Sequence, residues 1–291
     1  MSQTRAAVNR TVERIPPPAW FAVSAVFHYL GPSFAVLLFP AVGVLGTAWL
    51  RIASAAAIFA PATRPWRLFA RIDLRERWFL LAWGAALAVM NVSFYLAIAR
   101  LPLSLVAAIE FLGPVALALY GLRTARNMLA LLLAVAGVLI VVRIRWATDA
   151  IGFLWAFLDA LLFIVYIVLG HRVARTGAGS GIERLGAAMA LAFAVVFPIG
   201  CVEAAKTLLH PALLLAGAGV GVCSSVIPYV CDQIVMARVS RASFALMLSL
   251  LPAYAAVIAA LVLRQFPSPH DLLGIALVMG GIALHRPGPD A

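Results

Sequence analysis

Ten runs of apolar residues, separated by short connectors that hold nearly all of the arginines, restrict this chain to one kind of environment. A helix must run for about 20 residues to cross a hydrocarbon core of about 30 Å. The runs, here called blocks one to ten, cover residues 19–39, 41–60, 78–99, 101–122, 128–142, 150–170, 185–202, 211–236, 243–263 and 272–285. With no water at mid-bilayer, only a segment that satisfies its own backbone can fill such a run. The sequence therefore predicts an all-α membrane protein with ten transmembrane helices. Composition agrees: 65% of the 291 residues are apolar and 11% are charged, too few charges to cover a soluble domain. Gly31-Pro32 predicts a kink or an interruption near the middle of block one.

A net charge of +11 would suit a nucleic-acid partner, but its distribution excludes one. The basic residues sit in connectors, where they fix orientation in a bilayer. With both termini in the cytoplasm, 16 of the 22 Lys and Arg residues fall in cytoplasmic segments and five on the other side, Arg51 lying inside a block. The lipid bilayer is the expected partner and the cell (inner) membrane the expected site. Residues 1–18 carry arginines without an apolar run or a cleavage site, and read as a cytoplasmic tail. Cys201, Cys223 and Cys231 all lie in apolar blocks without metal-ligand spacing, so no metal and no cofactor is expected.

Residues 99–118 align with 237–256 at a constant offset of 138 and without a gap. Ala99/Ala237, Arg100/Arg238, Ala107/Ala245, Pro114/Pro252 and Ala118/Ala256 are identical. Each segment is fourth in a set of five blocks. Five is odd, so two such halves would sit in opposite orientations, a recurrent design of secondary carriers with a midplane site. The expected units are the tail 1–18, a first five-helix repeat 19–145, a second 146–285, and a C-terminal tail 286–291.

An ionisable group at mid-bilayer is costly unless paired or wetted, which makes each one a candidate site residue. His28, Arg51, Glu110 and Asp159 lie near the middle of their blocks. Polar, small and aromatic neighbours follow them at helical spacing: Ser24 and Pro32 with His28, Thr47 and Ser54 with Arg51. Gly84, Ala88, Asn91 and Tyr95 make a further stripe, as do Trp155, Asp159, Phe163 and Tyr166. The candidate cavity residues are thus His28, Asn91, Tyr95, Glu110, Trp155, Asp159 and Tyr166. Arg51 keeps its charge and is expected to seek a carboxylate, Glu110 or Asp159, as a coupling or structural ion pair. The acid left without the cation is the natural proton carrier. Asp232 and Gln233, near the end of block eight, are expected to snorkel into the interface. Gly217 and Gly221 have the spacing of a close helix contact.

The segment Met90-Asn91-Val92-Ser93-Phe94-Tyr95-Leu96-Ala97-Ile98-Ala99 resembles the third-helix pattern of EamA-type members of the drug/metabolite transporter superfamily. Ala107-Ala108-Ile109-Glu110-Phe111-Leu112-Gly113-Pro114 is similar to the Ala-Leu-Glu-Phe-x-Gly-Pro signature of its threonine/homoserine exporter branch. Leu38-Phe39-Pro40, Leu50-Arg51 and Ile227-Pro228-Tyr229 fit the same branch. The resemblance implies ten helices in two inverted halves, export of amino acids or related small metabolites, and Glu110 as a cavity residue. Proton antiport and uncoupled facilitation are both open under it, and a broader drug/metabolite exporter is the alternative. Two positions depart from the branch. Leu251 precedes Pro252 where a Glu is usual, and Arg264-Gln265 stands where Gly-Glu is usual. An intramembrane enzyme is the remote reading, since no P-loop, HExxH or Gly-x-Ser-x-Gly element occurs.

Overall fold

The computed structural model describes residues 15–113, 124–145, 149–175, 181–236, 238–239, 244 and 247–284. Among these, every regular element is a helix. They are α1 (Pro17–Val42), α2 (Val44–Thr63), α3 (Pro65–Arg71), α4 (Leu74–Ile98), α5 (Leu103–Glu110), α6 (Ala125–Arg145), α7 (Ala150–Arg175) and α8 (Gly181–Ala205). A 3₁₀ turn (Lys206–Leu209) leads to α9 (Pro211–Gly221). A π-turn (Val222–Val226) joins α9 to α10 (Ile227–Met236), and α11 (Leu251–Leu263) and α12 (Pro269–Leu284) follow. Each apolar block contains a helix, and α3 is an addition, a short helix on an arginine-rich connector. Tail residues 1–14, Pro114, Ala118, Ala237, Ala245 and 285–291 lie outside the described residues.

The helix starts follow local chemistry. Prolines open α1, α3, α9 and α11, where the missing N–H would have had no helical partner. Asp73 caps α4 by accepting from Glu76 N at 2.7 Å, and Asp149 caps α7 by accepting from Gly152 N at 2.9 Å. Ser268 and Asp271 cap α12 reciprocally: Ser268 N donates to Asp271 Oδ2 at 2.9 Å, and Asp271 N to Ser268 Oγ at 3.2 Å.

Six helical segments among the described residues are long and apolar enough to cross a membrane. They are Pro17–Val42, Val44–Thr63, Leu74–Ile98, Ala150–Leu169, Gly181–Ala205 and Pro211–Asp232. Ala125–Ile140, α11 and α12 are shorter apolar helices. Such segments turn large side chains outward, Leu215, Leu261 and Leu154 among them, as a lipid-facing surface requires.

Two proline-bearing segments behave differently. α1 continues through Pro32, so the expected interruption does not occur, although the ring still denies the His28 carbonyl its helical donor. α5 does break: it closes at Glu110, and Phe111 is a turn residue. A second break falls at Ser249–Leu250, just before α11. The principal packed pairs are α2 with α8, α4 with α7, α6 with α12, α8 with α4, α1 with α10 and α11, α2 with α9, α5 with α11, and α5 with α7.

Candidate substrate site

Arg51 sits in mid-α2 with 7% of its surface exposed. Its position depends on how closely α9 approaches. A Cβ on Gly221 would lie 2.6 Å from the Arg51 carbonyl oxygen, so only glycine permits the contact; Gly217 meets Leu50 one turn earlier. Immediately after Gly221 the chain enters the π-turn. There the Ser225 side chain and the Ser224 carbonyl face α2, and the Ser224 side chain faces Gly31 of α1. Arg51 Nε donates to Ser225 Oγ at 3.2 Å, and Nη2 donates to the Ser224 carbonyl at 3.3 Å. The guanidinium carbon lies 5.3 Å from the centroid of the Tyr95 ring.

These contacts correct the expected ion pair. Among the described residues Arg51 forms no salt bridge with Glu110 or Asp159, whereas Arg100 pairs with Asp149 at 3.5 Å at the partly exposed start of α7. The charge of Arg51 nevertheless reaches both acids, and the acids reach each other.

Asp159 is 1% exposed, and neither of its carboxylate oxygens has a hydrogen-bond partner among the described residues. Glu110, 8% exposed, ends α5 at the break. The hydroxyl of Tyr29 is likewise buried and unpartnered among the described residues, and those of Tyr95 and Ser224 are buried within reach of one another beside Arg51. Buried polar groups in native proteins are nearly always hydrogen-bonded, so a cluster of unspent donors and acceptors around one cation marks a place for a polar ligand or water.

The other expected residues divide. His28 lies in the field of Arg51 with its ring edge-on to Tyr29, centroids 5.2 Å apart. Tyr166 stacks on Trp83 at 5.5 Å and on Phe163 at 6.3 Å, forming an aromatic wall. Trp155 packs against the apolar core one turn from Asp159. Asn91 is buried, but its amide donates to Leu87 O of its own helix at 2.7 Å, so that donor is already spent.

The sequence reading missed four contributors: Tyr29, Ser224, Ser225 and Asp232. Asp232 does not snorkel. Ser24 Oγ donates to Asp232 Oδ1 at 2.6 Å and ties α10 to α1, with the carboxyl in reach of Tyr166 and Tyr229. An acid one turn inside the end of block eight was the available signal. For the serines it was a Cys-Ser-Ser run in an otherwise apolar helix.

Comparison with known proteins decides the family. The EamA-like transporter family matches residues 150–285. The threonine/homoserine exporter RhtA of Escherichia coli (strain K12) is 31% identical over 252 residues, covering 86% of this chain and 84% of that protein. The chain belongs to the EamA-like transporter family. The RhtA exporter of Salmonella typhimurium (strain LT2) is 32% identical over 270 residues and 90% of both chains. A solved crystal structure shares the fold at 19% identity, with a TM-score of 0.57 over 91% of this chain and 96% of the other. As an EamA-like transporter, the chain is a multi-pass membrane protein, and it buries Arg51, Glu110 and Asp159 within its apolar blocks.

Proposed function

We propose that the chain exports a small zwitterionic amino acid of the threonine or homoserine type across the inner membrane. The observation that carries this reading is Arg51 set among Glu110, Tyr95 and the unpartnered Asp159 carboxylate and Tyr29 hydroxyl. A fixed cation suits the carboxylate of an amino acid, the acids suit its ammonium group, and the Tyr29 and Tyr95 hydroxyls suit a side-chain alcohol. His28, Tyr166 and Trp155 complete the wall. The names of the relatives, threonine/homoserine exporters, support the same substrate class.

The working architecture is ten transmembrane helices in two inverted five-helix halves, 19–145 and 146–285. Packing supports it. With the spans taken as α1, α2, α4, α5, α6, α7, α8, α9–α10, α11 and α12, exchanging each span with the one five places away maps the principal pairs onto themselves. The α4–α7 pair becomes α1–α10, α8–α4 becomes α2–α9, and α5–α7 becomes α11–α1. The α2–α8, α6–α12 and α5–α11 pairs each map onto themselves. The two helix breaks, at Phe111 and at Ser249–Leu250, fall at the 138-residue offset of the sequence repeat. Interrupted helices at matching places in two halves are the usual mark of a carrier's binding site. Both termini are cytoplasmic in this reading, and Glu110 and Asp159 are the groups able to exchange protons against substrate.

Purified protein in proteoliposomes loaded with labelled threonine is the direct test. Efflux that is saturable, competed by homoserine and lost in Arg51→Leu is the expected result. Efflux of bulky apolar cations in place of threonine would favour the broader drug exporter, and no efflux of any small solute would overturn transport.

A further inference from the structure

Away from the midplane, the last turn of α2, the short helix α3 and the start of α8 enclose a cavity of about 290 Å³. It is lined by Arg64, Arg67, Leu68, Arg71, Thr63 and Glu183, with Pro61 and Ala62 at its rim. Arg67 and Arg71 lie one turn apart on one face of α3, and Arg64 joins them from the left-handed residue that precedes the helix. The same helix buries Pro65 and Leu68 against the bundle. The floor is fixed where α8 crosses α2, because Gly186 lies directly against the Thr63 side chain. With three guanidinium groups against one carboxylate, the cavity carries a net charge of +2.

No step of the proposed transport uses this charge, and although the three arginines are exposed, large apolar side chains are exposed next to them. Trp66 is 59% exposed beside the arginines, and Leu74 (68%) and Trp78 (65%) are exposed at the start of α4. Exposed tryptophans at helix ends are the residues that settle at headgroup level in a bilayer. A concave cluster of guanidinium groups at that depth matches a phosphodiester, which arginine can engage through paired N–H donors.

We infer that the Arg64–Arg67–Arg71 cavity is a binding site for the phosphodiester headgroup of an anionic membrane lipid. The lipid would lie with its phosphate on the three arginines and its acyl chains along the flank marked by Trp66, clamping α3 between α2 and α8. The site is separate from the midplane residues, so it stands or falls independently of the substrate.

The test is native mass spectrometry of the full chain released from nanodiscs of phosphatidylethanolamine and phosphatidylglycerol. Wild-type protein should retain phosphatidylglycerol in preference to phosphatidylethanolamine. R67Q/R71Q should lose about tenfold or more of that retention, since each basic residue near a membrane surface contributes noticeably to anionic-lipid binding. R75Q/R77Q removes the same charge from outside the cavity and should change retention by less than about twofold. If R67Q/R71Q does not survive purification, R67Q alone carries the comparison. Titration of detergent-purified protein with inorganic phosphate separates the other source of the chemistry. Saturable phosphate binding without lipid preference would overturn the lipid in favour of a soluble phosphate compound. Equal retention by the two double variants would reduce the cavity to ordinary surface charge and overturn the site.

Discussion

Arg51 and Ser225 are joined across two helices by a 3.2 Å hydrogen bond at the place where the chain winds as a π-turn, residues Val222–Val226. The Ser225 hydroxyl and the Ser224 backbone carbonyl both accept from Arg51, while the Ser224 side chain lies against Gly31 of α1. A single π-turn inside a helix is often found at a functional site, and here it orients the one arginine among the mid-helix charges.

Ser225→Ala should therefore weaken substrate binding more than it weakens the fold. A hydrogen bond to a charged group contributes roughly 1.5–3 kcal/mol, and the Ser224 carbonyl remains as a second acceptor. We expect the KM for threonine efflux to rise by about tenfold with little change in maximal rate. Arg51→Lys should do more damage, since a lysine keeps the charge but loses the fixed geometry of two directed N–H groups and the flat face over Tyr95. Concentration-dependent flux in proteoliposomes measures both. A Ser225→Ala variant with unchanged KM would detach the π-turn from substrate binding.

Asp159→Asn offers a split that a purely structural acid would not give. Neither oxygen of Asp159 is hydrogen-bonded within the described protein, so the amide breaks no such bond and fixes the buried side chain neutral. Thermal unfolding in detergent should occur at the wild-type temperature or above it, while transport falls by about a hundredfold or more, the scale of about 3 kcal/mol for losing a charged ligand contact. A marked fall in melting temperature would make Asp159 a structural group and move the ammonium site elsewhere.

The charged part of the site was legible because a charge in an apolar run is a large energetic anomaly that composition exposes at once. Arg51, Glu110 and Asp159 were readable for that reason, and so was the aromatic stripe through Tyr166. What stayed hidden depended on winding and on distance. Ser224 and Ser225 cost little in an apolar helix, and nothing in Cys-Ser-Ser announces a π-turn. The expected Arg51–acid pair failed because residues on different helices can share a field without touching. Asn91 is buried, and one N–H of its amide donates to a carbonyl four residues back, a choice no residue pattern records. The block count foresaw a helix in every run but not α3, whose seven residues are too few and too basic for an apolar window.

The departure at Arg264-Gln265 has a local physical consequence. Arg264 ends α11 in the left-handed conformation, at φ 56° and ψ 29°, where glycine is the unstrained choice and where the family pattern has glycine. A non-glycine residue there costs about 1 kcal/mol or more. Arg264→Gly should raise the unfolding temperature in detergent, whereas Arg264→Ala, which keeps a Cβ, should not. Gln265 is less replaceable: its Oε1 accepts from Leu103 N at 3.1 Å and caps α5 from the end of α11. Gln265→Ala should loosen α5, read as faster amide hydrogen exchange over residues 103–110. Equal melting temperatures for the glycine and alanine variants would remove strain as the explanation.

Proton coupling, where it operates, should run through Glu110. The residue closes α5 at the break before the Gly113-Pro114 pair, in the fields of Arg51 and Asp159 at once. A carboxyl at the end of an interrupted helix can change its exposure when that helix moves, which is what binding a proton on one side and releasing it on the other requires. The matching position in the second repeat is Leu248, so the first half alone carries an acid at this place. Glu110→Gln keeps the shape and fixes the site neutral. An imposed pH gradient should then no longer drive threonine efflux, while exchange of labelled for unlabelled threonine at equal pH continues at a measurable rate. Because Glu110 and Asp159 lie in one another's field, a proton can be shared between them, and Asp159→Asn must be run beside it. Wild-type flux that ignores an imposed gradient, with both variants following it unchanged, would make the carrier an uncoupled facilitator and leave Glu110 a group that shapes the cavity.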